Sequence, residues 1–393
     1  MDSPQRIAIA GGSIGGLTAG VLLHELGLDV HIYERSTAAL EARGAGIVVL
    51  PMTERYFVDR GGEDDRVSLE LTWWTYVDDA GRQLSADPDH FRFSSWNAVY
   101  QGLLAAFPAD RYHLGREVAT FHQRDERVGI GFADGGVTEA DLLVCADGIS
   151  SSARRRLVAG VEPIYAGYVA WRGTADETAL SAGAVSDLAD SMLYQILRPG
   201  HILAYAIPGE GGSIRPGNRL QNFVWYRNYP EGGPFEDLMT DRLGTKRTLT
   251  VPPGFVRDEH LSELHDAATA LAPTLREVVM ASPHPFVQAI FDLESPRMAF
   301  GRIVLIGDAA FSARPHVAAG TAKAAADAWA LRDALRDHGQ DLQKALHIWE
   351  RSQLALGSRT VLRSRAMGER SQFEEAMVPG DPTWKFGLFE SGN

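Results

Sequence analysis

Apolar positions along the chain follow two periods that change at recognisable points. Residues 6–10 (RIAIA) form a short β-branched run, the signature of a buried parallel strand. Glycines follow at Gly11, Gly12, Gly15 and Gly16. Leu17, Val21, Leu22 and Leu26 then fall at helical spacing, and Gly27 marks the stop. Residues 29–33 predict a second strand that runs into Glu34, eighteen residues beyond Gly16. Further on, 43–51 predicts a glycine turn entering an apolar strand closed by proline, and 53–59 a short helix. A strand over 69–78 leads into a hairpin turn at 79–81, and 96–107 has helical periodicity. Strands are expected at 127–132 and 140–146 around a turn at 134–136.

From about residue 162 to 285 the pattern changes to short aromatic or β-branched strands at 165–174, 191–197, 201–207 and 221–226, separated by glycine and proline turns. That predicts a mostly antiparallel sheet, with helices at 262–272 and 273–281. A buried-strand pattern returns at 301–306 and ends in Gly307 and Asp308. Two long helices follow, one presenting Ala324, Ala328, Leu331 and Leu335 on a face, the other within 342–372. The tail from 378 onward is expected to be irregular and to pack only locally.

The fold class that results is α/β with an α+β insert. A Rossmann-like nucleotide domain is assembled from 1–72, 97–162 and 286–375; a substrate-binding sheet domain is inserted from 73–96 and 163–285; C-terminal helices and an irregular tail, 376–393, complete it.

Composition narrows the function. At 393 residues, 45% of them hydrophobic and 23% charged, the chain reads as an ordinary globular protein of two packed domains. A net charge of −13 argues against a nucleic-acid partner. The lone cysteine, Cys145, excludes an internal disulfide, and there is no membrane-span pattern and no room for a signal peptide before the first strand; a cytoplasmic protein is expected. Twelve histidines without an H-x-x-x-H spacing, and one thiol, give no metal constellation.

Strand, glycine turn, helix, strand and acid is the context that a dinucleotide fingerprint requires. Gly11 and Gly16 occupy its outer glycine positions, with Ser13 in the middle and Ile14 and Gly15 opening the helix. The helix N-terminus offers unpaired N–H groups to a pyrophosphate, and Glu34 can accept from a ribose diol, with Arg35 beside it. Two more strand ends carry the same chemistry, at Asp147–Gly148 and Gly307–Asp308. Three such ends point to one long ligand carrying phosphates and hydroxyls, which favours FAD over NAD as the resident cofactor.

These residues also carry a family resemblance. Asp147, Gly148, Ser151 and Arg154 match D-G-x-x-S-x-x-R, and Gly307, Asp308, Ala309, Ala310, Pro315 and Gly320 match G-D-A-A followed by proline and glycine. Together with the first turn they resemble the flavin-dependent aromatic hydroxylases of the para-hydroxybenzoate hydroxylase type. Among these, GGSIGG, YAGYVAWRG, HILAYAIPG, QNFVWYRN and RPHVAAGTAK are most similar to the 2,6-dihydroxypyridine hydroxylase branch. The sequence departs from the family at Phe311, where a histidine is usual, at Val317 and Ala318, where a glycine pair is usual, and at Trp96, near the place of a common arginine.

The resemblance implies a monooxygenase that uses FAD, NAD(P)H as a transient co-substrate and O2 to hydroxylate a hydroxypyridine-like ring through a flavin C4a-hydroperoxide. Val118, with the residues named above, is implied at the cofactor, and a homodimer is compatible with it. Such chemistry needs a shielded pocket and a proton relay for a ring hydroxyl. Candidates for that relay are His201, Tyr205, Tyr226 and His316, with Pro315 beside the flavin; His201 and Tyr205 fall on one side of a strand. Trp171 and Trp225 read equally as core or stacking walls, and Arg172 and Arg227 as solvated or as partners of a carboxylate. A hydroxylase of a phenolic, salicylate-like substrate and a non-catalytic binding protein on the same scaffold remain the alternatives.

Overall fold

The computed structural model describes residues 5–40, 46–59 and 68–390; Arg43 and the start of the 43–51 turn lie outside them. Five parallel strands make the first sheet, in the order Ile303–Leu305, Leu142–Cys145, Arg6–Ala10, Asp29–Glu34, Tyr112–Leu114. The three strands at the Ile303 side are buried on both faces, which is why they read as unbroken apolar runs. Ala10 pairs with Cys145, and Cys145 with Leu305. Gly11, Asp147 and Gly307 therefore leave the sheet at the same carboxyl edge, side by side.

A second, larger sheet runs in the order Thr250–Val251, Phe286–Glu294, Ile164–Asp176, Leu220–Asn228, His201–Ile207, Ser191–Ile196, Leu69–Val77, Gln83–Ser95, Gly46–Val49. It is antiparallel apart from the pair Ser191–Ile196 with Leu69–Val77. One face, with Trp171, Ile202, Ala204 and Trp225, packs on the helices Asp258–Ala268 and Pro273–Ala281. The other face, with Leu203, Tyr205, Val224 and Tyr226, turns inward.

Several boundaries differ from the sequence expectation. Phe286–Glu294 and Gly46–Val49, assigned above to the nucleotide segments, pair into the large sheet instead. An apolar run bounded by turn residues suits either sheet, so local pattern cannot choose between them. The strand expected at 140–146 is divided: Val137–Ala140 pairs with Arg127–Phe132 in a small sheet that also holds Val118–Arg124, and Leu142–Cys145 enters the parallel sheet. Asp141 turns the chain between them, and its carboxylate accepts from the Arg6 N–H at 2.7 Å. Pro51 opens the helix Pro51–Val58 rather than closing a strand, as proline does at a first helical turn.

The helices Gly320–His338 and Leu342–Gln372 pack together, and Trp349 Nε1 donates to the Asp327 carbonyl at 3.0 Å. The tail is irregular apart from the short turn Pro382–Trp384, but it does not pack only locally: Trp384, Phe386 and Leu388 are buried in the core of the large sheet. Among the described residues no helix is long and apolar enough to cross a membrane.

Candidate active site

The shared carboxyl edge of the parallel sheet opens into a cavity of about 470 Å³ that continues over the inward face of the large sheet. Ser13, Ile14, Gly15, Gly148, Gly307, Asp308 and Gly320 line its nucleotide side. Backbone geometry explains the glycines here. Gly11 has φ +102°, and a Cβ on Gly16 would stand 1.9 Å from the Gly11 carbonyl oxygen. Ser13 is the N-cap of the helix Ile14–Glu25 but makes no side-chain cap bond, so its hydroxyl remains available at the cavity.

Glu34 is held at the end of its strand, its carboxylate accepting from the Gly12 and Ser36 N–H groups at 2.8 Å each. Each oxygen keeps a second lone pair for a hydroxyl donor. Asp147 caps the helix Ser152–Leu157 through one oxygen, 2.8 Å from Ser152 N. Its other oxygen, Oδ1, is buried without a hydrogen-bond partner. A buried carboxylate oxygen is costly unless a donor reaches it. Asp308 is exposed where it opens onto the cavity, with Lys323 drawing its carboxyl down and Asp327 raising it. Behind the turn, Lys323 Nζ lies 2.6 Å from Asp327, which accepts from Gly307 N at 2.8 Å. An extended ligand with a phosphate pair and several hydroxyls fits this donor and acceptor set: the helix N-terminus for phosphate, Glu34, Asp147 and Asp308 for hydroxyls. FAD has that chemistry.

Gly11, Gly16, Glu34 and Asp147 are not themselves among the lining residues, and other predicted cofactor residues sit elsewhere. Arg154 is fully buried and donates to the carbonyls of Ile149, Ala309 and Val161 at 2.8, 3.2 and 3.3 Å. It ties the Asp147–Gly148 loop to the Gly307 turn rather than lining the cavity. Arg35 is exposed, and Val118 is half-buried at the start of its strand; neither lines the cavity.

On the large-sheet side the predicted residues come together. His201, Tyr205, Tyr226, Pro315 and His316 all line the cavity, and period-two alternation along His201–Ile207 puts His201, Leu203 and Tyr205 there in a row. His201 stacks on Tyr194 at 4.8 Å and lies 4.7 Å from Tyr226, while Tyr226 and His316 are 4.6 Å apart. Tyr168, which the sequence did not single out, places its hydroxyl 2.8 Å from His316 Nε2; His316 Nδ1 is buried with no partner. His201 Nδ1 lies 2.6 Å from Ser371 Oγ. Burial drives both imidazoles down, His316 to about 3 and His201 well below its usual value, so both are neutral at physiological pH. Burial raises the tyrosines, with Tyr205 pushed up to about 12 although Arg172 pulls it the other way.

Arg172 lines the cavity, donating to the Gly46 carbonyl and Gln288 Oε1. It is the one permanent cation among the described lining residues. Arg227 instead lies over the Trp225 ring, 5.1 Å from its centroid, and Trp171 and Trp225 belong to the outer core. They are core aromatics, not walls of the cavity. Among the described residues no cluster of His, Cys, Asp or Glu could hold a metal ion.

A family model described as FAD binding domain-like matches residues 165–292. The chain is 39% identical, over 98% of its length and 96% of the relative's, to a 2,6-dihydroxypyridine 3-monooxygenase of Paenarthrobacter nicotinovorans. It is 27% identical over 91% of its length, and 90% of the relative's, to a 6-hydroxynicotinate 3-monooxygenase of Bordetella bronchiseptica. The solved structure of 2,6-dihydroxypyridine-3-hydroxylase from Arthrobacter nicotinovorans superposes with a TM-score of 0.93 at 37% identity, covering 99% of this chain and 98% of that one.

Proposed function

Because the chain belongs to the FAD-dependent aromatic hydroxylases, we propose that it hydroxylates a hydroxypyridine-type ring, consuming NAD(P)H and O2 and releasing water. The observation that carries this reading is the continuity of one cavity. It joins three nucleotide-binding strand ends to a wall of neutral imidazoles and tyrosines.

Bound FAD supplies the redox chemistry that links NAD(P)H and O2 to ring oxidation. Glu34, Asp147, Asp308 and the N-terminus of the helix Ile14–Glu25 would hold it. The protein's further tasks are to seat the ring, exclude water and handle one proton. The buried sheet face and the Pro315 loop exclude water. His316 meets the ring hydroxyl: its Nδ1, buried with no protein partner, is the nitrogen that bonds that hydroxyl, while Tyr168 at Nε2 fixes the orientation of the imidazole. Tyr226 and His201 flank it and orient the ring, and Tyr205 lies beside Arg172. Arg172 stabilises the ring oxyanion that makes the attacked carbon electron-rich.

A carboxylated, salicylate-like substrate is the second reading, in which the Arg172 Nε, buried without a protein partner, meets the carboxylate. The reaction is set in the cytoplasm, and a homodimer is its proposed assembly. The test is NAD(P)H oxidation by the yellow, FAD-loaded protein with hydroxypyridines and salicylates side by side. Stimulation by hydroxypyridines, with a product one oxygen heavier, supports the proposal; stimulation by salicylates alone would replace it with the phenolic reading.

A further inference from the structure

The segment after the long helix Leu342–Gln372 crosses back over the large sheet and contributes a wall of the cavity. Asp381 is held by Arg370 Nη2 at 2.6 Å, and Thr383 Oγ1 by Arg370 Nη1 at 2.9 Å. Arg363 donates to the Gly387 carbonyl at 3.0 Å and also to the Lys385 carbonyl. Gly387 N donates to the Val317 carbonyl at 3.0 Å, which ties the strap to the loop carrying Pro315 and His316. Trp384 Nε1 donates to Tyr194 Oη at 3.2 Å, and its ring lies 6.0 Å from His201 and 6.2 Å from His316. Between these anchors Phe386 reaches the cavity, with its ring 4.7 Å from Trp74 and 5.2 Å from Phe91.

We propose that Phe386 sets the size of the ring the cavity accepts, closing it to fused bicyclic substrates and leaving room for a single six-membered heterocycle. The argument is geometric. Phe386 is 5% exposed and held from both sides: main-chain and Arg363 bonds fix its neighbours Lys385 and Gly387, and Trp74 and Phe91 pack on its ring. A side chain so over-determined cannot swing aside for a larger ligand without breaking several contacts. The neighbouring walls are no more yielding: Tyr194 is bonded to Trp384, and His316 to Tyr168. Hydrophobic walls discriminate mainly by exclusion, and the loss of a few carbon atoms from such a wall changes discrimination about tenfold or more. Phe386 is thus a selectivity residue, and the relay described above is untouched by it. The proposal rests on the reading of this cavity as the site of a hydroxypyridine hydroxylase.

The test compares FAD-loaded wild type with Phe386→Ala and Phe386→Leu. Dissociation constants for 2,6-dihydroxypyridine and for the bicyclic 2-hydroxyquinoline are read from the change in flavin absorbance. Wild type is expected to bind the single ring and to bind the bicycle poorly. Phe386→Ala is expected to shift the ratio toward the bicycle by about tenfold or more, and Phe386→Leu by less in the same direction. Phe386→Leu keeps most of the buried volume and carries the test if the alanine variant does not fold. An unchanged ratio in a folded, yellow variant overturns the role of Phe386 while leaving the functional reading intact. Wild-type flavoprotein that binds neither ring overturns the functional reading, and this inference with it.

Discussion

Tyr168 Oη stands 2.8 Å from His316 Nε2, and both side chains are buried. The hydroxyl fixes the orientation of the imidazole and leaves Nδ1 as the nitrogen without a partner. Tyr168→Phe removes that hydroxyl and leaves a second buried ring nitrogen unsatisfied. The expected outcome is hydroxylation slowed by about a hundredfold, the low end of general acid–base effects, with more hydrogen peroxide formed per NAD(P)H consumed. Product yield against NAD(P)H oxidised, at matched flavin content, checks it; unchanged coupling would remove His316 from the relay.

The two cavity histidines also make stability depend on pH. Their folded-state values lie below the ordinary histidine value because burial disfavours the charged ring. The folded state therefore binds fewer protons than the unfolded chain. The stability they contribute is complete above about pH 6.5 and is lost as pH falls toward the folded value, by up to about 1.4 kcal/mol per pH unit for each ring. Melting temperature should fall between pH 6.5 and 5, and His316→Asn should flatten that limb. An equally steep limb in the variant would contradict the assignment.

Cofactor affinity should respond to Glu34 and Asp308 separately. Glu34→Ala also strips an acceptor from the N–H groups of Gly12 and Ser36, whereas Asp308→Asn keeps shape and removes charge. Each charged hydrogen bond contributes about 1.5–3 kcal/mol, so FAD dissociation constants should rise by one to two orders of magnitude. Reconstitution of stripped protein, followed by flavin fluorescence quenching, measures this. Gly16→Ala should fail to load FAD, since its Cβ would collide with the Gly11 carbonyl at 1.9 Å.

Lys323 and Asp327 form a buried ion pair beneath the Gly307 turn, 2% and 0% exposed. Lys323→Met leaves an uncompensated carboxylate and should cost about 3–5 kcal/mol. Denaturant unfolding of the variant provides the check; a loss below about 1 kcal/mol would mean that Asp327 takes up a proton readily in the fold.

What the sequence discloses depends on how local each determinant is. The turn from Gly11 to Gly16 with its helix was legible because backbone conformation and helix spacing lie within thirty residues. His201 and Tyr205 were placed on one side because strand alternation needs no tertiary knowledge, and the same alternation sends Trp171 and Trp225 to the other face. Tyr168 was not legible: its importance comes from His316, 148 residues away. Arg154 shows the converse failure. Its motif spacing is satisfied, but spacing cannot distinguish an arginine that meets a cofactor from one that bonds three carbonyls. Phe386 carried no local signal, because irregular segments have no periodicity to show which side chains turn inward.

The most direct test of the account is isotopic. FAD-loaded protein is given NAD(P)H, 18O2 and 2,6-dihydroxypyridine, and product, NAD(P)H and hydrogen peroxide are quantified together. The account predicts one 18O atom in each product ring, one NAD(P)H consumed per ring hydroxylated, and NAD(P)H oxidation that accelerates when the ring is added. An unlabelled ring, or NAD(P)H oxidised to peroxide at the same rate with and without it, would contradict it.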